Sequence, residues 1–257
     1  MTDRDPTERF TDRVELYVKH RPGYPPQVIE LLRQECALAA DRAVADVGSG
    51  TGISSRLFLD LGCKVFGVEP NAAMRAAAER YLSGYPSFVS VDARAEATSL
   101  GDRSVDFVVA GQAFHWFDAA RSHAEFARIL RPLGWVVLLW NARKLDATPF
   151  LRAYEALLLE FGTDYREVRH ESAWERLDLI YGPGRATRAT FENAQEVDYE
   201  GLEGRLLSSS YAPAAGDPRH LPMLAKLREL FDEHQRGGVV DLQYETTVFY
   251  GHLHGAP

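Results

Sequence analysis

Val44-Ala45-Asp46-Val47-Gly48-Ser49-Gly50-Thr51-Gly52 is the stretch that decides the fold of this chain. A run of strand-forming residues ends in a turn with glycine at every second position, and a helical pattern begins directly afterwards at Ser54. Glycine at 48, 50 and 52 lets the main chain turn sharply and lets a ligand approach bare backbone. A second short apolar run, Cys63 to Val68, reads as the next strand, and Glu69 stands at its end, seventeen residues past Gly52. A carboxylate there can accept hydrogen bonds from two ribose hydroxyls. Turn and acid together describe a site for an adenosine-type cofactor.

Spacing separates two cofactor classes. A dinucleotide fingerprint carries its third glycine at the position of Ile53 and seats a diphosphate on the following helix N-terminus. Asp46, just before the turn, suits an ammonium group, met directly or through water, and is ill placed beside a diphosphate. The motif therefore favours a cationic nucleoside ligand, and a nucleotide-dependent oxidoreductase is the weaker enzymatic alternative.

Working outward, strand and helix patterns alternate. A helical segment from Pro26 to Ala40 leads into the first strand, and helix Ser54–Leu61 precedes strand Lys64–Val68. Helix Ala72–Ser83 precedes strand Ser87–Val91; strand Val105–Ala110, helix Ala119–Leu130 and strand Trp135–Trp140 follow. Strands joined by helices of this length imply parallel crossovers and a sheet covered on both faces, an α/β doubly wound core. After Asn141 the rhythm changes. Pro149–Phe161 and Glu171–Leu179 read as helices, Thr187–Glu192 as β-forming, Tyr199–Leu207 and Pro218–His234 as helices, and Tyr244–Tyr250 as a strand.

Composition narrows the function classes. The 257 residues are 46% hydrophobic and 26% charged, enough for a full core with an insertion. The 29 basic and 37 acidic residues give a net charge of -8, which opposes a phosphate-tracking surface, so nucleic acid is not an expected partner. Cys36 and Cys63 lie in apolar segments and read as small buried hydrophobes rather than a disulfide or a metal site. Met1 to Phe10 lacks an apolar signal core, and no apolar run reaches the roughly 20 residues of a membrane span. A reduced, cytoplasmic setting without membrane contact is the expectation, with no reading of oligomeric state.

Val44 to Gly52 with Glu69 resembles the signature of the class I S-adenosylmethionine-dependent methyltransferases. Further segments agree with the small-molecule branch called type 11: Ala93-Arg94-Ala95-Glu96 after the third strand, Ser104 to Phe117 around the fourth, Arg128 to Gly134 before the fifth, and Tyr17 to Pro25 as an N-terminal cap. The resemblance implies a Rossmann-like, mostly parallel seven-stranded sheet with a helical insertion after the fifth strand. It implies a single methyltransferase domain with a cap over 10–25, a cofactor core over 26–142, a lid or substrate insertion over 143–186, and C-terminal strands and helices over 187–257 completing the sheet. S-adenosyl-L-methionine is the implied cofactor and S-adenosyl-L-homocysteine its product.

The family pattern places Gly48, Ser49, Gly50 and Gly52 beside the methionine portion of the cofactor, Asp46 beside its ammonium and Glu69 on its ribose. Asn71 and Met74 follow, with Met74 against the adenine or simply in the core. Gln112 orients the ammonium through its backbone or amide oxygen, and Tyr17 and Arg21 close the site, Arg21 toward the carboxylate. Two positions depart from the pattern: Arg94 makes backbone recognition through Ala95 the expectation for adenine, and Leu133 replaces a glycine, leaving Gly134 as the residue expected at positive φ.

His115 has two readings, a general base for an acceptor hydroxyl or amine, since an imidazole titrates near neutrality, or a loop-holding residue. Phe150, Tyr154, Phe161, Tyr165, Trp174 and Tyr181 supply aromatic surface for an acceptor pocket or for helix packing. The expected function is methyl transfer to an oxygen, nitrogen or carbon of a small molecule by in-line displacement. The alternative is a non-catalytic cofactor-binding regulator or scaffold.

Overall fold

The computed structural model describes residues 20–165 and 176–255. Seven strands form one sheet in the order β3-β2-β1-β4-β5-β7-β6. They are β1 Ala43–Val47, β2 Lys64–Val68, β3 Phe88–Val91, β4 Val105–Gly111, β5 Leu130–Arg143, β6 Thr187–Val197 and β7 Val240–Gly251. β1 to β5 run parallel, whereas β7 pairs antiparallel with both β5 and β6. The expected doubly wound sheet is what forms.

Helices α1 Gln27–Glu35, α2 Ile53–Leu61, α3 Ala72–Tyr81 and α4 Ala119–Ile129 accompany the parallel strands. Period-two alternation sorts β1 between two cores. Ala43, Ala45 and Val47 join Phe126 and Ile129 of α4 on one face, and Val44 joins Leu32 of α1 and Phe58 of α2 on the other. The alternation puts Asp46 on the same face as Val44, against α2.

Beyond β5 the chain forms α5 Pro149–Phe161, the short α6 Asp178–Tyr181, α7 Tyr199–Leu207 and α8 His220–His234. Leu151, Leu158, Leu206 and Leu227 pack with Leu242 of β7 into a third core at the antiparallel end of the sheet. Thr148 and Asp198 cap α5 and α7 by accepting from the N–H groups of Leu151 and Gly201.

Several boundaries differ from the sequence reading for local reasons. α1 stops at Glu35 because Ala37 takes φ 53° and folds Leu38 back so that its N–H reaches the Leu32 carbonyl. β5 outruns Trp140 because Asn141, Ala142 and Arg143 pair with Thr246, Glu245 and Tyr244. Leu133, not Gly134, is the residue at positive φ, 61°. Gly134 is required for a different reason: a Cβ there would stand 2.7 Å from Leu130 Cδ2 and 2.9 Å from the Arg131 carbonyl oxygen. The segment read as helix from Glu171 lies outside the described residues up to 175, and only its end appears, in α6.

Candidate functional site

The strand order reverses direction at β1 and β4, where a crevice opens at the carboxyl ends of the strands. The turn after β1 lies there. Gly48, Gly50 and Gly52 have φ of 68°, 55° and 86°, the left-handed region that glycine enters without penalty. Their surroundings differ. A Cβ on Gly48 would lie 2.6 Å from Ala113 Cβ and one on Gly52 2.7 Å from Leu82 Cδ1, whereas one on Gly50 would meet nothing within 4 Å. Gly48 and Gly52 therefore let the turn pack, and Gly50 alone presents bare backbone to open space.

Glu69 clasps this turn. Its Oε2 accepts from the Gly50 N–H at 3.0 Å and its Oε1 from the Asn71 N–H at 2.8 Å. Arg75 braces the corner by donating to the carbonyls of Glu69 and Pro70, each at 2.8 Å, and pairs with Asp92. Burial raises the Glu69 carboxyl above its usual range, partly offset by the Asn71 and Gly50 N–H groups and by Arg75. Each carboxylate oxygen keeps a lone pair for a further donor. Asn71 caps α3, its Oδ1 accepting from the Met74 N–H at 3.0 Å, and Met74 is buried. Ala95 is buried beside Val68, and exposed Arg94 accepts from the Ala97 N–H through its carbonyl.

Asp46 is fully buried beneath the turn. Its Oδ2 accepts from Ser54 Oγ at 2.7 Å and Ser55 Oγ at 2.6 Å, and its Oδ1 has no hydrogen-bond partner among the described residues. Burial pushes its carboxyl up to about 6, against the lowering effect of the two serines in the first turn of α2.

A cavity of about 390 Å3 takes Gly48 to Thr51 as one wall. Gln112 and His115 line it beyond β4, and Arg21 and Tyr24 line it from the segment before α1. Gln112 holds φ 57°, a strained value for a residue with a side chain, and its Nε2 donates to the Asn141 carbonyl at 2.9 Å. Arg21 donates to the Ser208 carbonyl at 3.1 Å. The His115 ring lies 4.6 Å from that of Trp116, and the His115 carbonyl accepts from Arg176.

The structure thus gathers Gly48, Ser49, Gly50, Arg21, Gln112 and His115 on one cavity and links Gly50, Glu69, Asn71 and Met74 by a hydrogen-bonded chain. Asp46, Glu69, Asn71, Met74, Arg94 and Ala95 are outside the cavity lining, as is Gly52. Tyr17 lies outside the described residues. Of the insertion's aromatics, only Tyr165 lines the cavity; Phe150, Tyr154 and Phe161 belong to the third core, Tyr181 to the first, and Trp174 is outside the described residues. Trp140, Asn141, Arg143 and Arg205 are among the lining residues that the sequence reading did not single out by any signal. Arg205 had one available, a charge between Leu202 and Leu206 on an otherwise apolar helix face. Among the described residues no helix is long and apolar enough to cross a membrane, and no cluster of three metal-ligating side chains occurs.

A family model described as a methyltransferase domain matches residues 45–138. Uncharacterized methyltransferases of Mycobacterium bovis and Mycobacterium tuberculosis are 39% identical over 140 residues, 54% of this chain and 55% of theirs. The chain thus spans about half the length of these curated relatives. An uncharacterized methyltransferase of Schizosaccharomyces pombe is 32% identical over 197 residues, 75% of this chain and 74% of its own. Among solved structures, a candidate type II methyltransferase from Anaeromyxobacter dehalogenans superposes with a TM-score of 0.67 at 23% identity, over 90% of this chain and 97% of that one. A glycine turn after β1, an acid after β2 and these relatives converge: the chain belongs to the class I S-adenosylmethionine-dependent methyltransferases of the type 11 family.

Proposed function

We propose that the protein transfers a methyl group from S-adenosylmethionine to a small-molecule acceptor in the cavity beside the Gly48–Gly52 turn. One observation carries this reading: Glu69 grips the N–H of Gly50, the one turn glycine that faces open space, so a carboxylate and bare backbone stand together at the crevice. The remaining lone pairs of Glu69 take the two ribose hydroxyls. The orphaned Asp46 Oδ1 supports a cationic ligand, its negative charge serving the ammonium directly or through water. Arg21 serves the carboxylate, Gln112 fixes the ammonium end, and Ala95 with Met74 faces the adenine.

When bound, S-adenosylmethionine supplies an electrophilic methyl on a sulfonium, already a good leaving group. The chain has then to align the acceptor in line with it and exclude water. Trp116 and Trp140 in the cavity wall serve exclusion, and His115 takes a proton from acceptors that must lose one. The aqueous cytoplasm is the proposed setting.

Calorimetry with S-adenosylhomocysteine tests the cofactor assignment. Glu69→Ala is expected to weaken binding at least tenfold while the protein stays folded; wild-type affinity in the variant would remove the ribose role. A mass-spectrometric search for a one-methyl gain in a metabolite extract separates an enzyme from a regulator that only binds the cofactor.

A further inference from the structure

The ionisable side chains that line the cavity, among the described residues, are Arg21, Tyr24, His115, Arg143, Tyr165, Arg205 and Tyr211, with no aspartate or glutamate. In a chain with 37 acidic and 29 basic residues, that wall runs against the overall charge. Two of its arginines are largely withdrawn from solvent. The Arg143 side chain is 10% exposed; its Nη2 pairs with Glu155 Oε2 at 2.5 Å and donates to Tyr165 Oη at 3.0 Å. Its Nη1 is buried with no hydrogen-bond partner among the described residues. Arg205 is 9% exposed, and among the described residues its side-chain hydrogen bonds run to neutral groups, Tyr244 Oη at 3.3 Å and Ser209 Oγ at 3.2 Å.

The fold brings these two guanidiniums to one place. Arg143 stands opposite Tyr244 in the β5–β7 register, so their side chains leave the same face of the sheet. The Tyr244 hydroxyl is the group that receives Arg205. Arg143 also lies 5.0 Å over the Tyr154 ring, and both guanidiniums act on the Tyr154 hydroxyl, so two permanent positive charges share one neighbourhood in which Glu155 is, among the described residues, the one acid paired with them. Burying a cation without a counter-charge is costly, and a guanidinium carries five donors that tyrosine and serine do not exhaust. A bound anion resolves both deficits through the paired hydrogen bonds that guanidinium forms with carboxylate or phosphate. Trp116, Trp140 and Leu145 give the same cavity apolar surface.

We infer that the methyl acceptor is a small organic anion, an apolar body with one carboxylate or phosphate head held between Arg143 and Arg205. The inference rests on the methyl-transfer reading above and names the substrate class that this site takes. Arg143 and Arg205 are specificity-determining here and take no part in the transfer itself.

The test begins by titrating the full chain with S-adenosylhomocysteine. No binding at that step is the failure of the cofactor reading, seen before any acceptor probe is added, and it takes this inference with it. The loaded protein is then titrated with phenylacetate, hexanoate and phenyl phosphate, and with the neutral phenylacetamide and hexanamide. At least one anion is expected to bind ten times more tightly than its neutral counterpart or, for phenyl phosphate, than either amide. The tighter of phenylacetate and phenyl phosphate identifies the head group. Arg205→Gln is expected to weaken anion binding at least tenfold and Arg205→Lys to restore part of it, with homocysteine-nucleoside affinity within twofold of wild type. Amides that bind as well as the acids, binding by no anion, or an unchanged Arg205→Gln would overturn the inference. The wild-type comparison decides on its own if the variants do not fold.

Discussion

Asp46 shows how one residue ties stability to ligand binding. Its carboxyl is pushed up to about 6 from an ordinary 3.8, chiefly by burial, so the fold favours the protonated form. The sign follows: this stabilisation is complete below about 3.8 and is lost as pH rises through about 6, leaving a cost on the order of 3 kcal/mol at neutrality. The groups facing it are Ser54 and Ser55 on α2 and the nearby Glu69 at the end of β2, which carries a raised carboxyl of its own. Asp46→Asn is therefore expected to raise Tm relative to wild type, by an amount that grows between pH 4 and 7. It is also expected to weaken S-adenosylhomocysteine binding. Wild-type affinity should fall as pH drops below about 6 and that fall should flatten in the variant; parallel pH profiles in calorimetry would show that Asp46 does not serve the ammonium.

At the scale of elements, α7 joins the segment before α1 to the cavity through Gly204. By helix propensity alone, Gly204→Ala would stabilise α7 by about 1 kcal/mol. The structure reverses the expectation, because the added Cβ would stand 2.2 Å from His20 Cδ2. His20 is buried there, and Arg21 and Tyr24, one and four residues on, line the cavity. Gly204→Ala is expected to destabilise by about 1–3 kcal/mol in thermal melts and to weaken S-adenosylhomocysteine binding together with it; a higher Tm would refute the packing argument. This element also marks how far the sequence could be read. The parallel half was legible because each strand is a short apolar run bounded by a glycine turn or a helical stripe. The turn glycines and Glu69 stood at recognisable spacing. Arg143 and Arg205 did not, since their approach depends on an antiparallel register between Arg143 and Tyr244, more than a hundred positions apart, and on which face of α7 packs against that sheet. Leu133 at positive φ was equally hidden, because its neighbour Gly134 is the residue that usually takes such a turn.

Across the whole molecule, the antiparallel end of the sheet holds down the segment that leads into α1. The Gly23 carbonyl accepts from Asn141 Nδ2 at 3.0 Å and from Asn193 Nδ2 at 2.9 Å, and the His20 carbonyl from Gln195 Nε2 at 3.2 Å. Residues 20 to 24 are thereby tied to β5 and β6, far from them in sequence. Asn193→Ala removes one of these ties at about 1 kcal/mol, so S-adenosylhomocysteine is expected to leave three to ten times faster in stopped-flow experiments while Tm moves only a few degrees. An unchanged off-rate would separate the segment from cofactor retention. The same strand has another consequence. β6 ends the sheet, and its outward row of Arg188, Thr190, Glu192, Ala194 and Glu196 is exposed. Glu192 and Glu245 face each other as like charges, with Lys144 beside the first and Arg188 beside the second. An incoming copy that tried to extend this rim would have to break that charge lattice and desolvate it, so the border guards itself against edge-to-edge aggregation.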